Sequence, residues 1–250
     1  MTRRRFYAPP EAFDFTTKQV SLGGDEARHL REVLRLKTGD AVRVFDGVGN
    51  EYNTIVVRAM RDSAVLEIGE KTEPVSGESP IHLTLALALL KGDKFDLVVQ
   101  KATELGVSEL VPVMTKFADI RLHDPSDAAK RVTRWQRISL EAAKQSGRAA
   151  VPHIESPVAF AELMERERND GMRVMFAERD GQPMTLLPTS ITTPRVCVLV
   201  GSEGGWSPEE IGSAKEHGWR IVTLGGRIMR AETAAITVTA LMQHRYGDLK

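Results

Sequence analysis

The segment Val198–Ile211, VLVGSEGGWSPEEI, sets three glycines between an apolar run and a helix start. Residues 195–200 (RVCVLV) read as a buried strand, and Ser207-Pro208-Glu209-Glu210 opens a predicted helix over 207–217. A glycine turn at this junction lets bare backbone approach a ligand. The same design recurs at Leu224–Arg230, LGGRIMR, between a predicted strand at 220–224 and a predicted helix at 231–246. Both loops follow the carboxyl end of a strand, where open α/β sheets bind their ligands.

Working outward, IHLTLALALL (81–90) is apolar enough for a central strand covered on both faces. Asp93 is a candidate cap for a helix carrying Phe95, Val98, Ala102 and Leu105 on one face and closed by Gly106. Further strands are predicted at 109–114 and 173–177, with helices at 127–146 and 157–168. Strands alternating with helices predict an α/β domain with a largely parallel sheet. Toward the N-terminus the pattern changes. Val- and Ile-rich runs at 41–46, 52–60 and 64–70, with one short helix at 24–35, predict a small β-barrel module. The polar stretch EKTEPVSGESP (70–80) reads as a linker, giving domains at 1–72 and 73–250.

The 250 residues hold 34 basic and 34 acidic side chains, so net charge points to no particular partner. The start, MTRRRF, is basic without a following apolar stretch and does not read as a signal peptide. No run has the roughly 18 apolar residues of a membrane helix. A single cysteine, Cys197, excludes a disulfide framework within the chain, and a reducing cytoplasm is the expected home.

Spacing tests the familiar ligands. The first loop reads G-x-x-G-G, not the dinucleotide G-x-G-x-x-G, and neither loop has the Gly-Lys-Ser/Thr of a P-loop. Ser202 directly follows Gly201, so this is not a nucleophile elbow. The six histidines fall singly, without metal-ligand spacing, and no metal is expected. What remains is a pair of loops grouping Glu203, Arg230 and Glu232 near free backbone N–H groups, a costly arrangement unless something polar binds there.

LVGSEGGWSPEEI followed by LGGRIMRAETAAI resembles the signature of the SPOUT methyltransferases, in the ribosomal RNA small subunit methyltransferase E branch. RHLREVLRLKTGD (28–40), KGDKFDLVVQKATELGVSELVPV (91–113) and RWQRISLEAAKQSGRAAVP (134–152) resemble that branch too, so the likeness covers nearly the whole chain. Where members commonly carry proline after the first glycine, this chain has Ser202. The resemblance implies a trefoil-knotted parallel-sheet domain, an N-terminal PUA-like β-barrel that holds RNA, a homodimer and S-adenosylmethionine as cofactor. It implies methylation of N3 of one uridine, position 1498, in the 16S RNA of the small subunit. A related enzyme acting on tRNA, or a non-catalytic RNA-binding assembly factor, are the alternative readings.

For that chemistry, backbone groups of Gly201, Ser202, Glu203, Gly204, Gly205, Gly225 and Arg230 are expected to hold the cofactor. Leu199, Leu224, Ile228 and Met229 could wall its adenine or simply be core. Thr233 and Ala234 open the last helix, whose N-terminal dipole favours polar ligands. That helix is apolar nearly all round, which suits a subunit interface. Arg230 is the catalytic candidate: guanidinium cannot take a proton but can stabilise an anion. A salt bridge to Glu203 or Glu232 is its alternative. Glu203 is the candidate for an orienting or proton-handling role, or else caps the following helix, and no general base is named. Basic residues cluster at Arg3, Arg4 and Arg5, at Lys91 and Lys94, and on the helix bearing Arg131, Arg134, Arg137, Lys144 and Arg148. Phosphate contacts explain such clusters in a neutral protein, as does a solvated face for the helix. Gln145, Ser146 and Arg148 lie in a family-matching stretch and are assigned to the RNA side. N3 lies on the Watson–Crick edge, so the target base must be unpaired or flipped out.

Overall fold

The computed structural model describes residues 4–122, 124–166 and 171–250. The chain divides into two compact units, Met1–Glu78 with Leu140–Val151, and Ser79–Ser139 with Pro152–Lys250.

The first unit is a six-stranded sheet. Its strands are β1 (Arg5–Tyr7), β2 (Phe13–Asp14), β3 (Gln19–Gly23), β4 (Ala41–Phe45), β5 (Glu51–Ala59) and β6 (Ser63–Thr72), paired in the order β1-β4-β5-β6-β3-β2. Alternation along β3, β4 and β6 turns Val20, Leu22, Val42, Val44, Leu66 and Ile68 onto one core with Phe6 and Leu30. Register shifts between β5 and β6 bend the sheet. The turn GVGN (47–50) forms because the Asp46 carboxylate accepts N–H bonds from Val48 (2.9 Å) and Asn50 (3.0 Å). The short helix is α1 (Gly24–Arg28), continued by a wider turn in which the Leu34 N–H donates to the His29 carbonyl. The segment at 70–80 differs from the expected linker. Strand β6 runs on to Thr72, the Ser76 N–H donates to Gly147 O (3.1 Å), and Glu78 pairs with Arg148.

The second unit is an all-parallel sheet of β7 (His82–Ala88), β8 (Glu109–Met114), β9 (His153–Ile154), β10 (Val158–Ala159), β11 (Met172–Phe176), β12 (Gln182–Pro183), β13 (Arg195–Val200) and β14 (Arg220–Thr223). The order is β10-β8-β7-β13-β11-β14-β12, with β9 beside β8. Its helices are α2 (Lys94–Glu104), α3 (Pro125–Ser146, whose last turns belong to the first unit), α4 (Phe160–Glu165), α5 (Pro208–Glu216) and α6 (Ala231–Tyr246). Along β13, Val196, Val198 and Val200 face the core built with α2 and α6, while Leu199 faces the core built with α4 and α5. Among the described residues no helix is long and apolar enough to cross a membrane.

One expected cap is missing and two expected boundaries shift. Asp93 precedes α2 but its side chain makes no capping bond; it faces Arg134 at 3.5 Å instead. Helix α3 starts earlier because the Asp124 carboxylate accepts the Ser126 N–H (2.8 Å) and Pro125 suits a first turn. The helix expected over 157–168 begins only at Phe160, after the short β10, and residues 167–170 lie outside the described ones.

Candidate active site

Strand order brings three loops together. β13 lies next to β11, and β11 next to β14, so the carboxyl ends of these strands are neighbours. The first glycine loop leaves β13, the second leaves β14, and Ala177-Glu178 leaves β11 between them. Helix α6 closes the far side. The result is an open cleft of about 560 Å³.

Its floor and walls are mostly apolar. Leu224, Ile228, Met229, Ala234, Val238, Val200, Phe176 and Trp206 line it, together with backbone of Gly201, Ser202 and Gly205. Ile228 is 69% exposed, an apolar side chain left facing open space. Trp206 locks the first loop in place: its indole N–H donates to Phe176 O (2.8 Å), and a Cβ on Gly201 would meet its ring at 3.1 Å. Gly204 has no room for a side chain either, since a Cβ there would stand 2.7 Å from the Cβ of Phe117. Gly225 turns the second loop with φ +64, a conformation that favours glycine. The Ser202 hydroxyl oxygen is buried and has no hydrogen-bond partner among the described residues. A buried polar atom without a partner is costly.

Beyond the cleft the first loop carries a charged rim. Lys94 Nζ donates to Glu203 Oε1 at 2.6 Å and lies 3.9 Å from Glu232 Oε2. The hydrogen bond to Glu203 raises the Lys94 pKa above its ordinary value, against a smaller effect of burial. Burial pushes the Glu203 carboxyl upward, but the Lys94 ammonium and a backbone N–H outweigh it and hold the pKa below the usual carboxylate value. Arg230 precedes α6 in extended conformation (φ −64, ψ 150), is exposed, and makes no ion pair among the described residues. It is close enough for its charge to act on Lys94.

Of the expected cofactor contacts, Gly201, Ser202, Gly205, Leu224, Ile228, Met229 and Ala234 line the cleft. Glu203, Gly204, Gly225, Arg230 and Thr233 stand beside it without lining it. Leu199 is a correction: it is fully buried on the other face of the sheet, because β-strand alternation turns it away from α6. Neither alternative for the two charged candidates holds. Arg230 makes no salt bridge to Glu203 or Glu232, and α5 is capped by Ser207, not Glu203. Phe176, Ala177, Glu178, Trp206 and Arg227 were not anticipated. The only sequence signal for the first three was their place at the carboxyl end of a strand.

The basic candidates separate by burial. Arg3 lies outside the described residues. Arg4 is half exposed, with Asp40 at 3.4 Å. Lys91 is exposed and 2.9 Å from Asp119. Gln145 is exposed, and the Ser146 hydroxyl donates to Ala143 O (3.4 Å). Arg5 and Arg148 are corrections. The Arg5 side chain is 5% exposed, donates to Glu51 Oε2 and to the carbonyls of Ala143 and Arg148, and lies over the Phe45 ring. Arg148 is buried and donates twice to Glu78 Oε2. Both are committed inside the first unit.

Residues 77–243 match the RNA methyltransferase domain family and residues 22–69 the RNA methyltransferase PUA domain family. A parallel sheet with paired glycine loops at its strand ends, in a chain also carrying a PUA-like sheet, defines an RNA methyltransferase of the SPOUT class. Ribosomal RNA small subunit methyltransferase E of Synechocystis is 33% identical over 96% of this chain and 77% of its own length. That of Mesomycoplasma hyopneumoniae is 34% identical over 83% and 86%. The Neisseria gonorrhoeae ribosomal RNA small subunit methyltransferase E, solved bound to S-adenosylmethionine, superposes with TM-score 0.88 at 31% identity, covering 99% of both chains. The chain belongs to the ribosomal RNA small subunit methyltransferase E family.

Proposed function

We propose that this protein transfers a methyl group from S-adenosylmethionine to N3 of a specific uridine in the 16S RNA of the small ribosomal subunit. The observation that carries the reading is the cleft at three adjacent strand ends, apolar-walled and lined along one side by the glycine loop Gly201, Ser202 and Gly205. Such a surface suits a cofactor with a flat heteroaromatic base and a polar tail. Bound there, S-adenosylmethionine supplies an electrophilic methyl carbon.

The residues then have separate tasks. The apolar side chains of Leu224, Ile228 and Met229 exclude water from the cleft, and the Ser202 hydroxyl offers a hydrogen bond to a polar group of the cofactor. Glu203, held anionic by Lys94, anchors the first loop instead of accepting a proton. Arg230, exposed and without an ion-pair partner among the described residues, is available to the negative charge left over N3 and its flanking carbonyl oxygens as the N3 proton passes to solvent. Positioning and charge stabilisation are then the main sources of rate. A homodimer is part of the proposal: beside the buried stripe of α6 (Ala231, Ala235, Val238, Met242) runs a partly exposed one, Ile236, Thr237, Ala240 and Leu241. A cytoplasmic setting goes with the substrate.

Incubating the protein with labelled S-adenosylmethionine and undermethylated small subunits, then mapping the label, tests the assignment. Label on N3 of one uridine is expected; label on tRNA or on ribose sinks it. Arg230→Ala should lower the transfer rate by about 100-fold or more with an unchanged melting temperature, the scale seen when a charge-stabilising donor is removed. Wild-type turnover in that variant removes Arg230 from the mechanism.

A further inference from the structure

Phe117 holds an aromatic ring 45% exposed at the rim of the first glycine loop, on the side where Lys94, Asp119 and Glu203 cluster. This exposure belongs to a braced segment. Arg121 donates from Nη1 to Thr115 O and from Nη2 to Lys116 O, both at 2.5 Å. The Lys116 N–H donates to Glu210 Oε1 at 2.8 Å, and Ala118 is buried beneath the turn. The Phe117 Cβ and carbonyl oxygen pack directly on Gly204, so ring and glycine loop are held in register. Lys116 Nζ lies 5.7 Å from the ring centroid and is paired with Glu209 Oε2 at 3.1 Å. A rigid loop that keeps a large apolar ring in solvent, next to the loop that would hold the methyl donor, has not used that ring for its own core.

We propose that Phe117 is the stacking surface for the target base, one face of the flipped pyrimidine lying on its ring while N3 is turned toward Arg230. This rests on the RNA-methylation reading above. Enzymes that modify the Watson–Crick edge must extract the base, and aromatic side chains hold extracted bases because every base has a π-face.

Phe117→Ala is a clean test, because alanine keeps the Cβ that packs on Gly204 and removes only the ring. It should raise KM for undermethylated small subunits at least about tenfold, with S-adenosylmethionine affinity and melting temperature unchanged. Phe117→Tyr and Phe117→Trp should restore KM, while Phe117→Leu, apolar but without a π-face, should not. Equilibrium binding of a uridine-containing single-stranded RNA to wild type and Phe117→Ala reads the same loss without turnover, so it stands apart from any failure of the methylation assay. Three outcomes overturn the proposal: unchanged KM and RNA affinity in Phe117→Ala, full rescue by Phe117→Leu, or conversion of a dimer to a monomer in sedimentation, which makes the ring a subunit contact.

Discussion

Ser202 shows what a single side chain can disclose about an absent partner. The residue lines the cleft, and its hydroxyl is buried with no hydrogen-bond partner among the described residues. Leaving such a group unpaired costs about 1–3 kcal/mol. Ser202→Ala should therefore leave the free protein as stable or slightly more stable. The same change should weaken S-adenosylmethionine about five- to tenfold, in line with a neutral hydrogen bond of about 1 kcal/mol. Thermal unfolding and titration calorimetry check the two halves; a lower melting temperature with unchanged affinity contradicts the role. Glu203 makes the second residue-scale prediction. Its folded pKa lies below its ordinary value of 4.5, so its contribution is present above that pH and is lost only as pH falls through the lowered pKa. Lys94 is shifted upward from 10.5, so its contribution is lost only on the alkaline side of that value. Between the two the pair is fully charged. The pH profile of kcat/KM should thus keep the same shape in Glu203→Gln as in wild type from about pH 6 to 9, where neither group titrates. Loss of a limb in the variant makes Glu203 the base after all. What could be read at this scale from sequence was the chemistry of the glycine loops and of Leu224, Ile228, Met229 and Ala234, because these are contiguous with the motifs. Leu199 was misjudged because strand alternation decides its face. Arg5 and Arg148 were misjudged because a count of charges does not distinguish a solvated arginine from one sealed against a carboxylate.

The start of α5 joins local and tertiary signals. Ser207-Pro208-Glu209-Glu210 is legible as a helix start, and the structure completes a capping box: the Ser207 hydroxyl accepts the Glu210 N–H, and Glu210 Oε2 accepts the Ser207 N–H at 3.0 Å. The second carboxylate oxygen was not legible. Glu210 Oε1 accepts the Lys116 N–H across 94 positions of sequence, tying the Phe117 segment to the helix below the first glycine loop. Both oxygens are needed as acceptors, and Glu210 is only 7% exposed. Glu210→Gln should then cost about 1–3 kcal/mol, because an amide turns a donor toward one of the two N–H groups. Ser207→Ala, which loses the cap alone, should cost about 1 kcal/mol. Urea denaturation of both variants measures the difference; an isosteric Gln that is silent shows that one acceptor suffices. Strand order is the other element-scale feature beyond reach of pattern. Periodicity located β11, β13 and β14, yet nothing local says that β11 inserts between β13 and β14. That insertion sets Phe176 and Glu178 between the two glycine loops, so a third wall of the cleft stayed invisible.

At the scale of the whole molecule, the decisive feature is that the first unit is built from two distant stretches, Met1–Glu78 and Leu140–Val151. A composition change near residue 72 suggests one cut, because linkers are read from local polarity and a returning segment leaves no local mark. The returning segment is held by buried polar bonds. The Glu51 side chain is fully buried; Arg5 donates to it at 3.0 Å and also to Arg148 O (2.7 Å) and Ala143 O (3.3 Å). Arg148 is in turn paired with Glu78 at 2.7 Å. Arg5→Ala leaves a buried carboxylate with only Arg43 among the described residues, at 3.7 Å, and should cost about 3–5 kcal/mol, as removal of one partner of a buried pair does. The same logic applies to a truncation. Residues 1–78 alone lack the carbonyls that complete the Arg5 guanidinium and the arginine that neutralises Glu78, so they should unfold without a cooperative transition. Joined through a flexible linker to 140–151, they should regain one, because every buried charge again has its partner. Circular dichroism through a urea gradient separates the cases. A fragment 1–78 that unfolds cooperatively by itself means that the sheet's apolar core outweighs the unpaired charges, and that residues 140–151 only decorate a unit already stable.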